Sequence, residues 1–168
     1  MEGNNIRIVI TGILITMQLL FSCPEFLHHD RAYISLAHHF FHANIFHLAV
    51  NCLSLWTLFR RGVKYATWTL VAAFVIGSAS WFCTSADAIG FSNFIFALVG
   101  LRTPSIRSLW WKQPSVIIFL VITALMAFLP QVSAVTHIAS FALGCIAAGA
   151  YRIAKNLSRD YSRAAYCR

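Results

Sequence analysis

The sequence predicts an all-α membrane protein: a bundle of six transmembrane helices in which the fourth is short and begins within the membrane. Three observations predict it. Of 168 residues, 59% are hydrophobic and only 11% charged, where soluble domains carry about a quarter charged residues. The mean hydropathy is +0.70. The apolar residues fall into six runs, near Ile6–Phe21, Ala43–Phe59, Tyr65–Phe82, Phe91–Leu101, Ser115–Leu129 and Ala134–Ile153. No linker or repeat divides the chain, so residues 1–168 read as one domain.

At the start of the first run the only basic residue is Arg7, and it is offset by Glu2. LFSC at 20–23 faintly resembles a lipoprotein cleavage box, but Phe21 is bulky and further runs follow. It reads as a membrane helix rather than a signal peptide. Most runs approach the ~20 residues that cross a ~30 Å hydrocarbon core. The fourth, at ~1.5 Å per residue, covers about half of it.

Basic residues give the orientation. With both termini in the cytoplasm, all but Arg31 of the 13 Lys and Arg fall on the inner face. This positive-inside pattern accounts for the net charge of +8 through an anionic inner leaflet of the bilayer, without nucleic acid. Glu25, Asp30 and Asp87 fall outside. The compact plan suggests a bacterial inner membrane. The five cysteines form no CxxC pair; Cys52 and Cys145 read as packing residues. Cys23 and Cys83 fall at one face, where a disulfide is conceivable.

This topology places distant polar residues at one outer-leaflet depth. His42 and His47 lie near the outer end of the second run, with Asn51 one turn deeper on the face of His47. Ser92 opens the fourth run just after a glycine, where unpaired helix N–H groups carry partial positive charge. His137 lies near the outer start of the sixth. Ser140, Gly144 and Ala148 form a small-residue stripe that lets two helices approach closely; if the partner is the fourth helix, His137 and Ser92 come within hydrogen-bond reach. A serine hydroxyl becomes a nucleophile when a histidine removes its proton. Ser92 and His137 are the candidate dyad, with no carboxylate placed for a triad. His47, Asn51 and the Ser92 N–H are candidate oxyanion donors. The pattern is not the GxSxG elbow, because Phe94 occupies the second glycine position.

These residues resemble the rhomboid intramembrane serine proteases. HANIFHLAVN (42–51) resembles the family's H-x4-H-x3-N, GFSNFIFAL (90–98) its G-x-S-G-x-x-x-A-L, and THIASFALG (136–144) its A-H-x-x-G-x-x-x-G. The three occur in family order, and the resemblance runs from the loop before the second run through the sixth. It implies a nucleophile at Ser92, a base at His137, oxyanion support from His47 and Asn51, and a supporting role in loop and cavity for His42. Phe96 matches an aromatic position that packs on the catalytic histidine. The implied substrates are transmembrane proteins cut near the outer face, with no cofactor and no metal. The pattern specifies no oligomeric state. The sequence departs from the family at Asn93, where a glycine is usual, and at Ser140. The first loop, Cys23 to Phe41, is short, with Tyr33-Ile34 where a Trp-Arg pair is usual.

Two other readings compete. One is an inactive rhomboid-like protein that binds membrane clients, a reading fed by Asn93. The other is a metal or haem membrane protein using His28, His29, His38, His39 and His42, of which His38 and His42 have i, i+4 spacing. Each polar residue alone also has a plain structural reading, as a hydrogen bond between helices. Their convergence at one depth favours the catalytic reading.

Overall fold

A computed structural model describes residues 3–21, 31–59, 66–84, 89–102 and 133–166. Among these the chain is wholly helical: α1 (Gly3–Leu20), α2 (Arg31–Ala37), a 3-10 turn (His38–Phe40), α3 (Ile45–Leu58), α4 (Thr67–Thr84), α5 (Ser92–Arg102) and α6 (Ala134–Tyr166). Five of the six expected runs correspond to α1, α3, α4, α5 and α6. The fifth, Ser115–Leu129, lies outside the described residues, as do Cys23, His28 and His29. Among the described residues two helices are long and apolar enough to cross a membrane, Thr67–Thr84 and Ala134–Arg159. The apolar helices Asn5–Leu20, Ile45–Leu58 and Ser92–Arg102 are shorter, so the described residues do not by themselves carry a count of six spans.

Two features differ from the sequence expectation. The first loop, for which the sequence predicts no element, contains a helix and a 3-10 turn. Its pattern is too short to signal a helix, but Ile34 and Phe41 bury against Trp81 and hold it in place. The last helix continues 13 residues past Ile153, ending at Tyr166 within its 33. Arg152, Lys155 and Arg159 end the apolar run without ending the helix, because Lys, Arg, Ala and Leu are all good helix formers.

The short α5 is the centre of the molecule. Asn93, Phe94, Ile95, Ala97, Leu98, Val99, Gly100 and Leu101 are all buried. Its 11 residues span roughly 16 Å at ~1.5 Å each. A helix end at membrane depth is tolerated where protein surrounds it, and α4 and α6 flank α5 here. The outward faces remain apolar: Val71 and Val75 on α4 and Val135, Ile138 and Ile146 on α6 are exposed. In lipid such faces need no partner, and helices associate through close packing.

That packing is closest between α5 and α6. A Cβ on Gly144 would stand 2.5 Å from the Ala97 carbonyl oxygen and 3.0 Å from the Leu101 nitrogen. A Cβ on Gly100 would collide with the Phe141 carbonyl oxygen. Both obstacles are backbone and cannot swing aside. Elsewhere in the bundle, α1 packs on α3, where Trp56 Nε1–H donates to Thr11 Oγ1 at 3.0 Å and Arg7 lies 4.3 Å over the indole.

Gly100→Leu is expected to destabilise the protein by about 1–3 kcal/mol or more, as overpacking against rigid neighbours does. A Cβ at Gly149 meets no described atom within 4 Å, so Gly149→Ala is expected to be neutral or stabilising by up to about 1 kcal/mol. Thermal unfolding of both variants in detergent checks the contrast; equal melting temperatures would refute it.

Candidate active site

Three helices begin at one end of the bundle, and each carries a predicted site residue in its first turn. His47 is the third residue of α3, Ser92 the first of α5 and His137 the fourth of α6. The starts are fixed by local chemistry. Asn44 has extended backbone and its side-chain oxygen accepts from the His47 N–H at 2.8 Å, an N-cap that starts α3. Ser133 caps α6 by accepting from the Thr136 N–H at 3.3 Å. Thr136 Oγ1 donates to Ser133 Oγ at 2.9 Å, and lies 2.9 Å from Thr84 Oγ1 at the end of α4. The turn bearing His137 is thereby tied to a second helix.

Before α5 the chain must reverse sharply, and Gly90 has φ +132°, a region that L side chains rarely adopt. Space forbids a side chain as well. A Cβ there would lie 2.7 Å from His47 Cε1, 2.8 Å from His47 Nε2 and 3.4 Å from Asn51 Nδ2. The loop before Ser92 therefore lies directly on the His47–Asn51 face. His42 joins them: its Nε2 accepts from the Phe91 N–H at 3.4 Å, and its ring meets that of His47 edge-on at 5.3 Å. Asn51 Nδ2 donates to the His47 carbonyl at 3.1 Å, which uses one of its two amide hydrogens.

Ser92 Oγ lies 2.7 Å from His137 Nε2, across 45 residues of sequence. The distance is that of a good O–H···N hydrogen bond, and the hydroxyl donates if the ring proton is on Nδ1. Phe96 stacks on the His137 ring, with centroids 4.5 Å apart and planes at 14°. His137 is buried. All six residues singled out in the sequence (His42, His47, Asn51, Ser92, Phe96 and His137) thus surround the turn that opens α5.

Sequence reasoning missed several contributors. Thr84, Ser133 and Thr136 orient the start of α6; an S-x-x-T spacing is their faint signal. Gly77 of α4 leaves room for the site, since a Cβ would stand 2.8 Å from His39 Cε1 and 3.1 Å from the Phe94 nitrogen. His39 Nε2 lies 3.1 Å from Ser78 Oγ. Asn93, larger than the usual glycine, has a side chain that could crowd the oxyanion position. Its side chain instead points to His38, with Nδ2 3.0 Å from His38 Nε2. Cys83 is a free thiol. Among the described residues no group of three or more His, Cys, Asp or Glu is placed to hold a metal ion.

Gly90→Ala combines a strained φ with a clash on His47, so a loss of about 1–3 kcal/mol of stability is expected together with displacement of the His47–Asn51 face. The displacement is read from changed histidine side-chain resonances of the folded protein; unchanged resonances and stability would refute it.

Comparison with known proteins adds one match. Neither the curated proteins nor the solved structures compared with the chain gave a similar one. The Rhomboid domain family model matches residues 29–153, from the loop before α2 to within α6, leaving α1 outside. With three quarters of its length so matched, and with apolar helices throughout, the chain is a membrane protein that belongs to the rhomboid family.

Proposed function

We propose that this chain is a serine endopeptidase that cleaves transmembrane proteins near the outer face of the membrane, using Ser92 and His137. One observation carries the reading: the 2.7 Å contact between Ser92 Oγ and His137 Nε2 at the opening of a buried helix. Rhomboid family membership supports it, since the family is generally one of intramembrane serine proteases.

The chemistry runs in two halves. Ser92 Oγ attacks the scissile carbonyl carbon while His137 Nε2 takes the hydroxyl proton. The carbonyl oxygen becomes an oxyanion. The Ser92 N–H at the helix start, the His47 ring and the second Asn51 amide hydrogen are the donors assigned to receive it. Collapse breaks the peptide C–N bond, and the proton on His137 passes to the leaving amine. A water molecule then attacks the acyl-enzyme, giving its proton to His137, and the returning proton restores Ser92. No metal or cofactor enters these steps. Phe96 keeps the His137 ring in one plane, which a dyad without a carboxylate requires of its surroundings.

The wider arrangement belongs to the same proposal. The chain forms a single six-span domain in a bacterial inner membrane, with both termini cytoplasmic. The substrate helix enters from the side and unwinds near the outer surface. His42 supports the loop and cavity around the turn.

Ser92→Ala and His137→Ala are each expected to lower cleavage of a model transmembrane substrate by about a thousandfold or more, with the fold intact. A fluorophosphonate is expected to label wild type and not Ser92→Ala. An intact wild type that neither labels nor cleaves would instead establish the client-binding reading. Phe96→Ala removes a stacking contact worth about 0.5–1.5 kcal/mol and is expected to lower kcat by up to about tenfold. Fusion of a cytoplasm-dependent fluorescent reporter to the C-terminus is expected to glow; a dark, stable fusion would reverse the assigned orientation.

A further inference from the structure

His38 takes no part in the chemistry proposed above, yet it is wholly buried and held on every side. Its ring stacks on Trp81 with centroids 5.4 Å apart and planes at 23°, and lies 4.0 Å from the His39 ring. Nδ1 is 2.9 Å from the Ser35 carbonyl oxygen. A carbonyl only accepts, so Nδ1 carries the hydrogen, and in the neutral ring Nε2 is an acceptor. Burial holds the pKa of His38 down to about 4 against backbone hydrogen bonds that raise it, so the ring is neutral at physiological pH.

The tautomer settles the orientation of Asn93. The atom facing His38 Nε2 must be a donor, which is Nδ2 and not Oδ1. His38 also holds the chain on the other side of the serine: its main-chain carbonyl accepts from the Gly90 N–H at 2.9 Å. One residue of the first loop therefore grips positions 90 and 93, which bracket Ser92. The rhomboid pattern places a glycine at 93, and a glycine has no side chain with which to form the second bond.

We propose that His38 and Asn93 are positioning residues that clamp the turn carrying Ser92, fixing the hydroxyl against His137. The inference rests on the reading of Ser92 as nucleophile. Neither residue touches the reacting atoms; the clamp acts by restricting where the first turn of α5 sits relative to α6. Displacements of about 1 Å at a reacting group are costly in rate. The expected signature of a lost clamp is therefore a fall in kcat with substrate binding retained.

The test uses the full chain in detergent. Asn93→Ala and His38→Phe are expected to lower kcat and the rate of fluorophosphonate labelling by about tenfold or more while KM stays within about twofold. His38→Gln, whose side-chain oxygen can occupy the Nε2 position as an acceptor, is expected to restore most of the rate. The double variant Asn93→Ala with His38→Phe is expected to cost no more than the worse single one, because both remove the same bond. Nitrogen NMR of the histidine rings supplies an arm independent of activity. His38 is expected as the Nδ1–H tautomer, with an Nε2 resonance that moves in Asn93→Ala. Single variants that keep wild-type kcat, or a His38 proton found on Nε2, would overturn the clamp. An unreactive wild-type serine would sink the protease reading instead, leaving the NMR arm to decide the His38–Asn93 bond.

Discussion

The near-contact of α5 and α6 backbones is the constraint from which the site follows. Ser92 and His137 are separated by 45 residues, and no local force draws them together. Their helices meet where neither has a side chain, Gly100 against the Phe141 carbonyl and Gly144 against that of Ala97. Two helices this close have little freedom to slide or rotate, because the atoms in the way are main chain. In a bilayer this matters more than in water, since lipid is as apolar as the helix faces and only fit distinguishes one packing from another. Given that fit, a hydroxyl at the first residue of α5 and an imidazole in the first turn of α6 arrive at the same level. The Phe96 ring then fills the remaining space beside the imidazole.

The second constraint is the cost of burying polar groups. The described residues contain five buried histidines: His38, His39, His42, His47 and His137. Each has a definite neighbour, although Nδ1 of His42 and of His47 is buried with no hydrogen-bond partner among the described residues. His38 bonds Ser35 and Asn93, His39 lies against Ser78, His42 accepts from the Phe91 N–H, and His137 meets Ser92. His47 instead lies beside Gly90 and edge-on to His42. Buried hydroxyls away from the site solve the same problem differently, by bonding back to their own helices, as Ser54 does to Val50 and Ser80 to Ile76. Those bonds stay within one helix. The histidine contacts mostly join separate elements, which concentrates inter-element polar bonding around the opening of α5. Structural and chemical roles thus share one network, and the stiffness of the site comes from groups that do no chemistry.

Much of this was legible in the sequence, and the limit of legibility has a physical cause. Periodic features survive a linear reading. The apolar runs gave α1, α3, α4, α5 and α6 within a few residues at most ends; the small-residue stripe at Ser140, Gly144 and Ala148 pointed to the α5–α6 contact; and the i, i+4 spacing put His47 beside Asn51. The gathering of Ser92, His137, His47 and Asn51 followed from topology, because alternate helices return their outer ends to one level. Aperiodic features did not survive. The α2 helix and its 3-10 turn are held by burial of Ile34 and Phe41 against Trp81, a tertiary cause with no local signature. The charged half of α6 lies beyond the apolar run, because hydropathy stops at Ile153 and helix propensity does not. His38 had a signal, its i, i+4 relation to His42, but that spacing suggested a metal face. The two instead diverge, His38 toward Asn93 and His42 toward the Phe91 amide, since the 3-10 turn ends at Phe40 and breaks the helical register between them.

Asn93 shows how such a break can matter. Beside the serine proposed as nucleophile, a side chain at a helix start has two directions: across the proposed oxyanion position, or away from it toward the neighbouring elements. The second requires space and a polar partner together. Gly77 lets α4 lie close against this turn, since a Cβ there would stand 3.1 Å from the Asn93 main-chain carbonyl carbon and 2.8 Å from His39 Cε1. His38 supplies the partner, with its acceptor nitrogen fixed by Ser35. Without that partner the amide nitrogen would be buried without a bond, as Asn93 Oδ1 is among the described residues. The departure at position 93 is therefore not a local change. It is one member of a set that includes the small residue on α4 and the imidazole in the first loop, and its meaning is visible only when all three are placed in space.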